Sequence, residues 1–155
     1  MTLEVVILSG LQASGKTTFC SQRFPSTHRV VSKDHFRNNK NRRKRQELLI
    51  RDGLICGQSV VVDNTNVEVA SRVEIILIAR EYGATVKGYF FRSRVDDCLK
   101  RNATRVGHAC VPHVAIFGAI KRLVYPSWSE GYDELYEVTL TPEGTFSVQA
   151  VSRSS

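Results

Sequence analysis

Near the start of the chain, Gly10, Leu11, Gln12, Ala13, Ser14, Gly15, Lys16 and Thr17 spell a complete G-x-x-x-x-G-K-[ST] pattern. Its chemistry is phosphate binding. The glycines let the backbone wrap closely, successive amides and a helix N-terminus face the anion, and Lys16, on a surface loop, neutralises the transferring end. Thr17 offers a hydroxyl to magnesium, and Thr18 carries the nucleotide-binding run into the helix. The expected ligands are ATP or GTP with Mg2+. Such a site also calls for an acid at the end of a neighbouring buried strand. Asp63 closes the run Ser-Val-Val-Val-Asp and fits that place, although the Asp-Asn-Thr-Asn string it opens also suits a turn.

Phosphoryl transfer needs an acceptor side as well. Asp34 and Arg37 stand three residues apart in Val-Ser-Lys-Asp-His-Phe-Arg, so one helical turn brings them onto a shared face. A carboxylate there can orient a hydroxyl and take its proton, and the guanidinium can grip an acceptor phosphate bidentately. On spacing alone the pair also reads as an N-cap aspartate beside a solvated arginine. Arg101 and Arg105 precede Gly-His-Ala-Cys-Val, which has the composition of a mobile tip ahead of Pro112. Carried on a lid, they would stabilise charge on the moving phosphoryl oxygens; without one they are ordinary solvated side chains.

The elements that must position these residues follow from periodicity. Apolar runs alternate with helix-period stretches throughout, the signature of parallel strands joined by crossover helices, so the class is α/β. Strands are expected at Leu3–Leu8, Arg29–Ser32, Ser59–Asp63, Ala84–Phe91 and Glu134–Leu140. Between them, helices are expected from about Gly15, from Arg42 to about Cys56, from Val67 to Tyr82 with Asn66 as cap, and from Ser93 to about Val106. A further helix opens at Pro112 and runs to about Leu123. The Thr-Pro-Glu-Gly turn is expected to fold Thr145–Val151 back as a hairpin partner.

The 155 residues suffice for one core and are too few for two ordinary domains. A single domain over 1–151 and a disordered tail over 152–155 are expected. No window offers the roughly 18 consecutive apolar residues of a membrane helix. The opening MTLEVVILSG lacks a basic n-region and a cleavage site, so export is not expected and a cytoplasmic chain is, with the nucleus left open. Cys20, Cys56, Cys98 and Cys110 are scattered with no C-x-x-C pair, which indicates reduced, partly buried thiols and neither a zinc site nor a redox motif. A formal net charge of +7 favours an anionic partner.

Taken together, the P-loop, the D-x-x-R of Asp34 and Arg37, the V-V-D-N-T-N of Val61–Asn66 followed by Ala-Ser-Arg, and the K-R-N-x-x-R of Lys100–Arg105 resemble the kinase domain of the polynucleotide 5′-hydroxyl kinase family. The resemblance covers roughly Val5–Val138. It implies a five-stranded parallel sheet flanked by helices and γ-phosphate transfer to the 5′-hydroxyl end of DNA or RNA. It also implies that Asp34 is the general base, Arg37 an acceptor-phosphate ligand, Thr65 and Asn66 acceptor-side contacts, and Arg105 with Arg101 lid arginines on the donor phosphates. No D-x-D-x-[TV] phosphatase motif occurs.

Two other readings stay open at this level. A small-molecule kinase acting on a sugar, nucleoside or antibiotic would share the same fold, because the phosphate site serves any acceptor. A nucleotide-binding regulatory module would need the P-loop and Asp63 but would have no use for an acceptor base or a lid-borne arginine pair. The basic run Lys40–Arg45 tilts toward a polyanionic acceptor, and it would equally make a solvated helix face.

Overall fold

The computed structural model describes residues 2–153. Its strands are β1 (Glu4–Ser9), β2 (His28–Val31), β3 (Ser59–Asp63), β4 (Thr85–Phe91), β5 (Glu134–Leu140) and β6 (Phe146–Ala150). The helices are α1 (Lys16–Arg23), α2 (Arg42–Ile55), α3 (Val69–Glu81), α4 (Val95–Ala103) and α5 (His113–Arg122). Short 3-10 turns occupy Lys33–Phe36, Gly107–Ala109 and Trp128–Glu130.

The sheet runs β2-β3-β1-β4-β5-β6, parallel except for β6, which returns antiparallel to β5. The expected five parallel strands and hairpin are therefore present, with β6 as a sixth strand. Because β1 is central, Val5 to Leu8 are fully buried, which is why they form an unbroken apolar run. Alternation splits the core between two faces. Val6 and Leu8 pack with Phe19 and Cys20 of α1 and with Phe24, which caps its C-terminus. Val5 and Ile7 pack with Ile50 and Leu54 of α2 and with Ile75, Ile76 and Ala79 of α3.

Three local expectations are corrected. Asn66 does not cap α3: its φ of 43° and an inward-turned amide take it out of cap geometry, and Glu68 holds the N-cap position. Ser93 likewise gives way to Arg94 as the residue before α4. That helix stops at Ala103 and not near Val106, because the Thr104 hydroxyl donates to Arg101 O at 2.7 Å and the last turn tightens through Arg105 N to Asn102 O at 3.1 Å. Ser154 and Ser155 of the expected tail lie outside the described residues. Within them, Trp128 Nε1 donates to Ser152 O at 3.3 Å, and the Arg153 guanidinium lies 4.0 Å from the Trp128 ring centroid.

Candidate active site

The register of the sheet brings the chemistry to one edge. Leu8 pairs with Asp63 and Ser9 with Phe90, so the loop after β1 and the ends of β3 and β4 emerge together. This is the end of an open α/β sheet at which ligands are held. The loop from Gly10 to Gly15 is fixed in a shape that needs its glycines. A Cβ at Gly10 would lie 2.8 Å from Phe91 Cβ, and Gly15 holds φ at +100°. Ala13 is also left-handed at φ 60°, a strained state for a residue with a side chain, of the kind that clusters at ligand sites. Gly10 N donates to Thr65 O at 2.8 Å, tying the loop to the segment after β3.

Lys16 departs from the expectation of a surface lysine. It is buried, and its ammonium donates to Gly10 O at 2.9 Å, Leu11 O at 2.6 Å and Ser14 Oγ at 3.3 Å. Burial pulls its pKa down to about 8; the Asp63 carboxylate opposes this most, Cys98 and Asp34 oppose it more weakly, and Arg105 adds to it. Asp63, Asp34 and Arg105 therefore converge electrostatically on Lys16. Asp63 is itself buried, which raises its pKa against the pull of Lys16 and the Thr17 hydroxyl. Thr17 Oγ1 donates to Asp63 Oδ2 at 2.9 Å. These two hard oxygen donors, side by side at the phosphate-facing end of α1, suit a magnesium ion that takes its remaining oxygens from phosphate and water.

The residues expected on the acceptor side are placed differently. Asp34 and Arg37 lie on the 3-10 turn after β2 and at its C-terminal end, and both are exposed. The turn is pinned at its base, where Asp34 N donates to Ser32 Oγ at 3.3 Å and Lys33 N to Asn64 Oδ1 at 2.9 Å. Among the described residues no side chain hydrogen-bonds or ion-pairs with Arg37. Thr65 is half-buried at the loop junction. Asn66 is buried, with its amide donating to Leu8 O at 2.8 Å, so it braces the loop.

Arg101 and Arg105 are set on different contacts by the early end of α4. Arg101 Nε donates to Ala13 O at 2.6 Å, on the phosphate loop itself. Arg105 reaches Ala109 O at 3.2 Å, within the tip. Loop residues Leu11 and Gln12 also face these elements: Leu11 packs with Cys98 and Ala119, and Gln12 Nε2 donates to Ala115 O at 3.4 Å.

Two supporting groups escape a reading of the sequence. Arg72 is fully buried and grips Glu130 through two bonds of 2.7 and 3.0 Å while donating to Asn66 O at 2.9 Å. It thereby holds the backbone that Gly10 leans on, and removing one member of such a pair typically costs about 3–5 kcal/mol. A signal existed: Arg72 falls on the same helical stripe as Ile75, Ile76 and Ala79, a charge where an apolar residue is due, and Ser127-x-x-Glu130 is a capping-box pattern. Asn102, also buried, clamps Val111 from both sides at 2.8 and 2.9 Å and so closes the base of the tip.

A family described as an AAA domain matches residues 5–124. The bifunctional polynucleotide phosphatase/kinase of Schizosaccharomyces pombe is 28% identical over 141 residues, 87% of this chain and 33% of that protein. The chain thus spans about a third of that relative's length. A sugar kinase from Janibacter sp. HTCC2649 superposes with a TM-score of 0.66 at 16% identity, covering 87% of this chain and 85% of the other. A chain of the Pnkp1/Rnl/Hen1 complex superposes with a TM-score of 0.59 at 23% identity, covering 69% of this chain and 42% of that one. Both structural likenesses are likenesses of fold.

Proposed function

The chain belongs to the AAA domain family, and from that premise we propose that it is a kinase moving the γ-phosphate of ATP or GTP to the 5′-hydroxyl end of a DNA or RNA strand. The phosphate loop would receive the donor, with Lys16 exchanging its present carbonyl partners for phosphate oxygens. A magnesium ion held by Thr17 and Asp63 would neutralise charge on the β- and γ-phosphates. Asp34 orients the acceptor hydroxyl and takes its proton as the new O–P bond forms and the bond to the β-phosphate oxygen breaks. Arg105, with Arg101 behind it on the loop, supplies positive charge to the moving phosphoryl group, and Arg37 holds a phosphate of the acceptor strand.

The observation that carries the polynucleotide reading is the start of α2. Arg42, Arg43, Lys44 and Arg45 fill its first turn, exposed and with no acid among them. That is the positive end of a helix dipole, where cations are disfavoured. Arg42 and Arg43 also depress the pKa of Lys33, next to Asp34, though burial depresses it more. A cluster of cations at a helix start, near the acceptor turn, suits a strand with several phosphates better than a sugar. No helix of the described residues is long and apolar enough to cross a membrane.

The test is radiolabelled ATP offered with 5′-hydroxyl oligonucleotides, nucleosides and sugars. Label is expected at oligonucleotide 5′ ends. Label in a sugar or nucleoside alone would replace the acceptor, and nucleotide binding with no transfer to any of them would leave a regulatory module.

A further inference from the structure

The two edges of the sheet are built differently. At one edge β2 is four residues long and carries Arg29, whose guanidinium lies 2.7 Å from Asp52 of α2. Shortness and charge are the usual means of keeping an edge from pairing. At the other edge, beyond the matched family residues 5–124, β6 has no neighbour on its outer side among the described residues. Residues 144–152, which contain it, carry no charge and no proline. The ladder with β5 decides which backbone groups point out. Thr141 N donates to Thr145 O at 2.8 Å and Val151 N to Leu135 O at 2.9 Å, so these are hydrogen-bonded pairs. Alternation gives Thr139–Ser147 and Glu137–Gln149 the same character, and it leaves Phe146, Val148 and Ala150 in the pairs that exchange no bonds with β5. Their N–H and C=O groups therefore face outward, as an open row of three donors and three acceptors.

That row fits a second copy of itself. Laid antiparallel about Val148, it sets Val148 against Val148 of the second copy and Phe146 against Ala150, each as a hydrogen-bonded pair, so every outward group is used. The two-fold axis stands perpendicular to the sheet and keeps like faces together. Phe146 and Val148, which pack on the α1 face, extend that apolar face into the second copy, and Ser147 and Gln149 meet each other on the opposite face. Charge agrees with this register. A formal net charge of +7 sets two copies against each other in general. Here, at each end of the uncharged stretch, exposed Glu143 of one copy comes to where exposed Arg153 of the other lies, and opposite charges across an antiparallel pair attract. Space is free as well. α1 packs on Val6 and Leu8 of β1 and on Tyr89 and Phe91 of β4. At about 4.8 Å per strand, β4 and its copy would stand about 24 Å apart, enough for two helices each about 10–12 Å across.

We infer that the outer edge of β6 is a self-association surface, on which a second copy of this chain adds its own β6 antiparallel about Val148 and joins the two six-stranded sheets into one. The two phosphate loops then open at opposite ends of the joined sheet, and neither is covered. Sedimentation equilibrium of the full chain from about 1 µM to about 1 mM should show monomer passing to dimer. Amide exchange followed by NMR should show Phe146, Val148 and Ala150 slowing as concentration rises, with Ser147 and Gln149 protected throughout. Ala150→Pro removes one outward N–H per copy at an exposed position, so melting of the dilute monomer should not change. Two bonds lost per dimer should raise the dissociation constant on the order of tenfold or more. Glu143→Arg should also weaken the dimer, and adding Arg153→Glu should restore it. A monomer at every concentration would overturn the inference. So would a dimer in which those three amides exchange as freely as in the monomer, one indifferent to Ala150→Pro, or a charge exchange that restores nothing. Phosphotransfer enters none of these readouts, so this surface and the kinase reading stand or fall separately.

Discussion

Lys16 and Arg37 are both cations suited to phosphate, and the fold treats them in opposite ways. Lys16 is buried against two backbone carbonyls and a serine hydroxyl, on a loop whose every side is braced: by Thr65 O, by Arg101, and by Phe91 beneath Gly10. Arg37 is exposed just past a four-residue 3-10 turn whose Phe36 packs on the core, and among the described residues no side chain hydrogen-bonds or ion-pairs with it. The donor floor is built before any ligand arrives, as electrostatic preorganisation requires. On the proposed reading, the acceptor rim is a surface that the incoming acceptor completes. Changes on the floor should therefore remove function, and changes on the rim should grade it.

The largest effect is expected for Lys16→Ala. With the ammonium gone, no charge meets the transferring phosphate, and phosphotransfer should fall below detection. Burial adds a second consequence that a surface lysine would not have: two carbonyls lose their donor, so the loop itself should loosen. Hydrogen exchange at residues 10–16 would report that, and unchanged turnover would break the contrast altogether.

Next in size, Asp34→Ala should lower the rate by roughly two to four decades, the usual contribution of a positioned base. As a rim change it should leave Mg-ATP affinity alone. Collapse of that affinity would move Asp34 to the donor floor, beside the Lys16 charge it already acts on.

The same division explains what could be read from the sequence. The phosphate loop, Ser59–Asp63 and Glu134–Leu140 were legible to the residue, because an apolar run or a fixed spacing carries its own local signal. The burial of Lys16, the inward turn of Asn66 and the early end of α4 were not. Asn66 turns inward on a partner that only the fold supplies: Asn66 and Leu8 are 58 residues apart, as are Arg72 and Glu130, whereas Lys16 and Thr104 find theirs within six residues, in bonds that compete with equally local alternatives. A stripe of apolar residues says where a helix faces. It does not say that a charge on that stripe has found a mate.

A smaller effect sharpens the floor's side of the comparison. Burial holds the Lys16 pKa near 8, below the ordinary 10.5, so the folded protein sheds this proton first. Stability should rise as pH climbs through that window, because the unfolded chain still binds the proton there. Nucleotide affinity should move the other way, since phosphate needs the charged form. Mg-ATP affinity should weaken by about tenfold per pH unit above 8, until the raised pKa of the bound state is reached. Lys16→Ala, with nothing to titrate, should show no such slope, and calorimetry across pH 7 to 9.5 would check both.

The gentlest test falls on the outer rim. Arg42, Arg43 and Arg45 sit in the first turn of α2, where the helix dipole opposes them, and among the described residues Arg43 is the one of the three with an ion-pair partner, Glu74 at 2.7 Å. Replacing all three with Gln removes that conflict, so thermal stability should hold or rise. If the three arginines track a strand, each phosphate they neutralise contributes about −0.7 to the slope of log affinity against log salt. Loss of three contacts would flatten the slope by about 2. Long 5′-hydroxyl oligonucleotides should then weaken more than a mononucleotide, and Mg-ATP should not change. A residue kept for folding cannot lose affinity while stability is kept, so the opposition of the two readouts is the informative result. An unchanged slope would make the turn a solvated face and return the acceptor to something small.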